Sequence, residues 1–372
     1  MIRTSRRITK VFSICITVAV LSLPLCAADP STAALIDASH YKRAQPILAD
    51  RLKANPNDAQ SWCEMSKVSE AFQRWDDAIQ QAEKAVALNP KNSEFHAALA
   101  DAIASSLAVS QAGMFAKMAL ARRFRAEIDL ALQFDPNNLD ANNDLLEFYL
   151  QAPGMVGGSV KKASEIADRM VHINPARGYL FQLDIATYEK KSAAELESLV
   201  QQAIRADPNL YYARTQAANF YLTQGGSALG HAALAQAEDQ ARQAIHLDPG
   251  RAAAYTALAT VYAQQGRWTD LDATLADAQR AVPDDLTPHY QAAKAILLNT
   301  QNQDLARAEK YLRTYLSQPP EGGEPSPAAA HWRLGLVLEK QGHKDQARQE
   351  IQQAVTLDPN FEPAKKDLKR LQ

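Results

Sequence analysis

Apolar and small residues recur along most of the chain at the i, i+3, i+4, i+7 spacing of one helix face, and proline cuts the runs at regular places. These prolines, most of them preceded by Asn or Asp, are Pro56, Pro90, Pro136, Pro175, Pro208, Pro249, Pro283, Pro320 and Pro359. The intervals between them are 34, 46, 39, 33, 41, 34, 37 and 39 residues. Proline cannot continue a helix and pushes the residue before it out of the α region, so each one closes a helix. A polar residue such as Asp58, Ser93, Asn138 or Asp285 is placed to cap the next.

Within each period the pattern predicts two antiparallel helices, A and B. One unit reads Tyr255, Leu258, Ala259, Tyr262, Gly266, Ala278, Pro283, and the last reads Leu334, Gly335, Leu338, Gly342, Ala347, Ala354, Pro359. Small residues at the crossing (Ser66, Ala100, Ala218, Ala259, Ala293, Gly335) let helix A approach helix B of the same unit. Alanine five residues before the closing proline (Ala85, Ala131, Ala203, Ala244, Ala278, Ala354) lets one unit stack on the next.

At these residues the chain resembles the tetratricopeptide repeat superfamily, whose base period is about 34 residues. The resemblance covers roughly residues 38–372: a partial unit 38–56, complete units 59–90, 93–136, 139–175, 178–208, 211–249, 252–283, 286–320 and 328–359, and a capping helix 361–372. It implies an all-α solenoid, a right-handed superhelix of antiparallel helix pairs. In the final helix Phe361, Ala364, Leu368 and Leu371 share one face, and the basic cluster Lys365, Lys366, Lys369 and Arg370 reads as its solvated side.

The first 28 residues carry a different pattern. Arg3, Arg6, Arg7 and Lys10 precede an apolar run, Val11 to Leu25, broken by Pro24 and followed by Cys26, Ala27 and Ala28. This is the three-part layout of a secretory signal peptide, with cleavage after Ala28, and the run is short for a membrane span. An uncleaved anchor and a lipoprotein are the other readings. The expectation is an exported protein, periplasmic or extracellular.

Charge and composition narrow the function. Forty Lys and Arg against 42 Asp and Glu give a net charge of −2, and removing the four basic residues of the leader makes it −6. That balance disfavours nucleic acid as a partner. Two of the three cysteines lie in the leader, so Cys63 has no internal disulfide partner and reads as packing. No metalloprotease, nucleophile-elbow, Cys-x-x-Cys or EF-hand motif is present, and the eight His residues are scattered, His246 and His289 reading as surface or packing positions. No catalytic residue, metal or cofactor is expected; a hydrolase or transferase with a convergent site, and a membrane-tethered scaffold, are the alternatives.

The repeats also depart from their own rule. Unit 93–136 has extra residues around Ala104–Met118, read as lengthened helices, and unit 211–249 has extra residues near Gly225–His231. Between the helices of unit 139–175 lies Gln151-Ala152-Pro153-Gly154-Met155-Val156-Gly157-Gly158-Ser159, followed by Lys161 and Lys162. That segment resembles one in a group of exported bacterial tetratricopeptide proteins of uncharacterised type. It fails the P-loop pattern, leaving a structural loop with Ser159 as a cap, or an anion-binding loop. The Pro- and Gly-rich stretch Gln318–Ala330 reads as a mobile connector.

The resemblance further implies that helix A lines a concave groove, with unit positions 2, 5, 9 and 12 projecting into it. Carried onto this sequence, those positions give Tyr179, Gln182, Tyr212, Thr215, Asn219, Thr256, Thr260, Tyr290, Lys294 and Trp332. The implied partner is a protein or an extended peptide, held by aromatic area and by amide and hydroxyl groups that pair with its backbone. The alternative for each aromatic is packing between neighbouring A helices. The Lys/Asn carboxylate clamp of some family members is not recognisable, since Cys63 and Lys67 occupy the first candidate unit.

Overall fold

The computed structural model describes residues 31–110, 113–224, 230–299 and 303–371. The expected signal peptide and most of the Gly225–His231 insertion lie outside the described residues. Thr32–Gln372 is one compact unit, and among the described residues it is all α-helix apart from a single 3-10 turn, with no strand.

The helices are α1 (Thr32–Asp37), α2 (Tyr41–Ala54), α3 (Ala59–Ala71), α4 (Trp75–Leu88), α5 (Ser93–Val109), α6 (Met114–Phe134), α7 (Leu139–Gln151), α8 (Val160–Ile173), α9 (Pro175–Tyr188) and α10 (Ala193–Ala206). They continue as α11 (Tyr211–Gln224), α12 (Gly230–Leu247), α13 (Ala252–Gln265), α14 (Trp268–Ala281), α15 (Thr287–Leu298), α16 (Leu305–Tyr315), α17 (Pro327–Lys340), α18 (Lys344–Leu357) and α19 (Glu362–Arg370). From α3 to α18 odd-numbered helices are the A member of a pair and even-numbered ones the B member.

The turns obey the proline logic with three exceptions. At the first turn Asn55 N–H returns to Arg51 O (2.8 Å), Pro56 follows, and Asp58 accepts from Ser61 N to start α3. Asn138 caps α7 in the same way. Ser93 is already inside α5, whose cap is Asn92, and Ser93 Oγ instead donates to Ala131 O across the unit (2.8 Å). Asp285, two residues before α15, accepts from Thr287 N, so it shapes the turn while Leu286 takes the cap position. Pro175 opens α9 as its first residue, with Asn174 as cap, instead of closing the preceding turn. The α8–α9 link is therefore tight, and a Cβ on Gly178 would stand 2.2 Å from Val171 N.

The small residues sit where helices touch. Ala85, Ala131, Ala203, Ala244 and Ala354 are fully buried, and Ala278 nearly so. A Cβ at Gly335 would meet Ile351 Cγ1 at 2.4 Å and Ala347 O at 2.9 Å, so only glycine lets α17 lie this close to α18. Ser66 donates to Ala78 O at the matching crossing of α3 and α4. Around these contacts Leu48, Ile103, Ile128, Leu146, Leu271, Ile296, Leu312 and Leu338 are fully buried, each stabilising the fold by ~1.5–3 kcal/mol.

Curvature follows from which helices meet. The backbone of each A helix packs closely on that of the next A helix along the whole series from α3 to α19. The backbones of the described B helices stay further apart and are bridged by long side chains such as Arg123 to Glu83 and Tyr311 to Asp272. The A helices therefore line the inside of the curve.

The curl brings the first helices against turns far along the chain. Glu321, buried in the connector, accepts from Lys42 N (2.6 Å) and faces Lys42 Nζ (3.4 Å), which also donates to Pro319 O and Asp284 O. Gly323 N donates to Ala71 O (2.7 Å), and Arg251 reaches both the backbone carbonyl and the carboxylate of Asp37. The stretch expected to be a mobile connector is thus a clasp joining the α1–α3 end to the turns before α13, α15 and α17.

Candidate functional site

Geometry divides the ten residues assigned to the groove. Tyr212 is 41% exposed, with the Arg177 guanidinium 4.2 Å from its ring centroid, and Asn219, two turns further along α11, is also exposed. Lys294 is half-buried on α15. Thr256 and Thr260 are half-buried and donate to carbonyls of their own helix, at Ala252 and Thr256. Thr215 is buried and spends its hydroxyl on Tyr211 O and Tyr212 O.

The others pack rather than project. Tyr290 is only 4% exposed, lies 5.2 Å from the Tyr315 ring and accepts from Arg333 Nε. Trp332 sits edge-on to Phe361 and donates to Asp367 (2.8 Å), which fastens α19 onto α17. Tyr179 is half-buried against the central core, and Gln182 donates to Asp168 on α8. On α9 the groove residues are instead Arg177 and Asp184, because the helix starts at Pro175 and its register differs from the other units.

The structure draws together a second set that the groove rule passed over. On the inner face of α3, α5, α7 and α9 stand Glu70, Asp101, Asp140, Asp144, Glu147 and Asp184. Lys67 on α3, bonded to Glu94 at 3.4 Å, and Arg177 on α9, over the Tyr212 ring, are cations beside them. Glu70 accepts a short bond from Ser105 Oγ (2.6 Å). Asp144 Oδ2 is shielded from solvent and has no hydrogen-bond partner.

Crowding in the groove perturbs these acids. Desolvation by the walls, then the Asp101 charge, raises the Glu70 carboxyl well above its usual range. Asp101 keeps solvent access on its open side but is flanked by both helix walls, and desolvation followed by Asp140 pushes it upward. Asp144 is raised by burial and then by Asp101, Asp140, Glu147 and Glu70. Asp184 is pushed up to about 6 by burial and by Glu147. An incoming positive charge would relieve both the repulsion and the desolvation of this strip.

Other titratable groups are inert. The Cys63 thiol is fully buried and pushed up to about 12, so it carries no thiolate at neutral pH. His289 is buried and held down to about 4, a neutral packing residue; His246 is exposed at the end of α12. Among the described residues no group of three or more His, Cys, Asp or Glu is arranged to hold a metal ion, and no helix is long and apolar enough to cross a membrane.

A curved stack of helix pairs with a continuous inner face belongs to the class of repeat scaffolds that bind along a surface rather than within a cleft. Residues 34–93 and 328–361 each match a tetratricopeptide repeat model, so the same unit is recognised near both ends of the stack. The chain thus carries tetratricopeptide repeats at residues 34–93 and 328–361, and these repeats support a protein-interaction scaffold. No curated protein sequence matches it. Among solved structures it is similar to the crystal structure of the APC/C hetero-tetramer Cut9–Hcn1, with 16% identity over 91% of this chain and 75% of that one and a TM-score of 0.43. It is also similar to a tetratricopeptide repeat protein from Parabacteroides merdae ATCC 43184, with 12% identity over 84% of this chain and 98% of that one and a TM-score of 0.40.

Proposed function

We propose that the protein binds an extended, cationic segment of a partner protein along the inner face of α3, α5, α7, α9 and α11. The carboxylate strip from Glu70 to Asp184 carries this reading, with Tyr212 and Asn219 at its far end supplying a ring face and an amide. Lysine or arginine side chains on alternate residues of an extended chain would meet carboxylates on successive A helices. The binding energy would come from pairing charges that the groove already holds at a cost, so affinity would fall with salt. This reading puts the site toward the amino-terminal half of the solenoid, whereas the groove residues expected from the sequence lie on α9 to α17.

The basic head, short apolar run and small residues of positions 1–28 support an exported setting, periplasmic or extracellular, where envelope assembly, cytochrome maturation and secretion use such scaffolds. The mass of the mature amino terminus tests export: a chain beginning at Asp29 supports it, and a chain retaining Met1 counts against cleavage. For binding, a fluorescent peptide of alternating lysine and serine is titrated against the protein and against the Asp101→Asn/Glu147→Gln variant. The reading expects saturable binding weakened at least about tenfold by the variant, equal to ~1.4 kcal/mol. Equal affinity for both proteins would overturn it.

A further inference from the structure

Two departures from the repeat meet at one place outside the groove. Helix α6 is 21 residues long where its counterparts α4, α8 and α10 have 14, and its amino-terminal turns overhang the stack. The loop between α7 and α8 folds back toward that overhang through a 3-10 turn at Gly154–Val156. The loop's shape depends on glycine at two positions. Gly157 has φ +108°, a backbone conformation side chains rarely adopt, and a Cβ on Gly158 would fall 1.7 Å from Ala152 O. Ser159 N then donates to Tyr149 O (2.8 Å), which ties the loop down on α7.

The overhang and the loop wall a half-open pocket of about 390 Å³. Its apolar wall is Met118, Phe148 and Val156, and its cations are Arg122, Arg125 and Lys162, with no carboxylate in the lining. Arg125 is held in place by Asp129 and by Tyr149 Oη, to which it donates (2.9 Å). The Arg125 guanidinium and the Lys162 ammonium both lie over the Tyr149 ring, at 5.3 and 5.4 Å from its centroid. Among the described residues Arg122 and Lys162 make no ion pair. A small pocket with an apolar wall and convergent charges of one sign is the form of a ligand site rather than of a packing defect.

We infer that this pocket binds a small amphiphilic carboxylate, its apolar body against Met118, Phe148 and Val156 and its carboxylate between Arg122 and Lys162. Arg125, already engaged with Asp129, sets the potential and holds the Tyr149 ring as the floor. Both halves of the ligand are needed. A bare anion gains nothing from the wall, and a cationic amphiphile meets three like charges.

The test is titration calorimetry of the full chain with decanoate, acetate, inorganic phosphate and decyltrimethylammonium. The expected result is one saturable decanoate site per chain, with the other three at least about tenfold weaker. Arg122 and Lys162 are exposed, so Arg122→Ala/Lys162→Ala is expected to fold as the parent does, with an unchanged circular dichroism spectrum, and to lose decanoate by tenfold or more. Arg122→Lys should retain most of it, and binding of the lysine–serine peptide should be unchanged in both variants. Decyltrimethylammonium binding as well as decanoate, phosphate binding as well as decanoate, or decanoate binding indifferent to the double substitution would each overturn the inference.

Discussion

Replacing Asp144 by Asn should stabilise the protein at alkaline pH. Asp144, half-buried on α7, has an oxygen without a hydrogen-bond partner and feels the charges of Asp101, Asp140, Glu147 and Glu70. Its carboxyl is raised to about 8 in the folded chain. In the unfolded chain it returns to ~3.9, and each pH unit of difference is ~1.4 kcal/mol, so the ceiling is about 5–6 kcal/mol. Solvent enters the groove from one side and salt screens the more distant carboxylates, which reduces the expected share to ~1–2 kcal/mol. The sign follows from proton uptake. Below the unfolded value both states are protonated and no penalty exists; as pH rises through the folded value the native state is forced to hold a charge it disfavours. Wild-type stability should therefore fall between about pH 4 and pH 8.5, and Asp144→Asn should flatten that fall. Urea unfolding followed by circular dichroism at about pH 5 and pH 8.5 measures both slopes. Parallel slopes, or a variant less stable than the parent at the higher pH, would refute the reasoning.

Three further outcomes follow. Ala347→Leu, at a fully buried site beside Gly335, should destabilise by ~1–3 kcal/mol, with loss of amide protection starting in α17–α19; unchanged unfolding would show that this crossing is loose. Tyr290→Ala should cost ~3–5 kcal/mol of stability because its ring is core, whereas Tyr212→Ala should leave melting nearly unchanged and weaken peptide binding; the reverse pattern in paired melts and titrations would invert their assignment. Glu321→Ala should release the clasp, increasing the radius of gyration in small-angle scattering and speeding exchange of the Gly323 amide, and an unchanged radius with a protected amide would show that the clasp does not hold the curl.

The fold was legible because its signals are local. Asn-Pro and Asp-Pro turns, caps such as Asp58 and Asn138, and alanine five residues before the closing proline recur in most units, so a miss in one is corrected by the next. Errors entered where one unit broke the rule. Pro175 opens a helix instead of closing a turn, and that single difference misplaced Tyr179 and Gln182 while hiding Arg177 and Asp184. Tyr290 and Trp332 occupy groove positions by count, but Tyr315 and the capping helix cover them, and burial depends on neighbours that spacing does not name. The carboxylates at Asp101, Asp140, Asp144 and Glu147 are visible in the sequence one helix at a time. Their meaning as a strip appears only when the A helices stand side by side. The clasp has no local signal at all, since Lys42 and Glu321 meet across most of the chain.

The central claim is that the inner face of α3–α9 selects a cationic chain. Fluorescence anisotropy with two labelled peptides of equal length, one alternating lysine with serine and the other alternating glutamate with serine, tests it most directly when each is titrated at low and at high salt. The account predicts binding of the lysine peptide alone, weakening steeply between about 0.05 and 0.5 M salt as the Debye length shrinks. Equal binding of both peptides, or lysine-peptide affinity independent of salt, would contradict it.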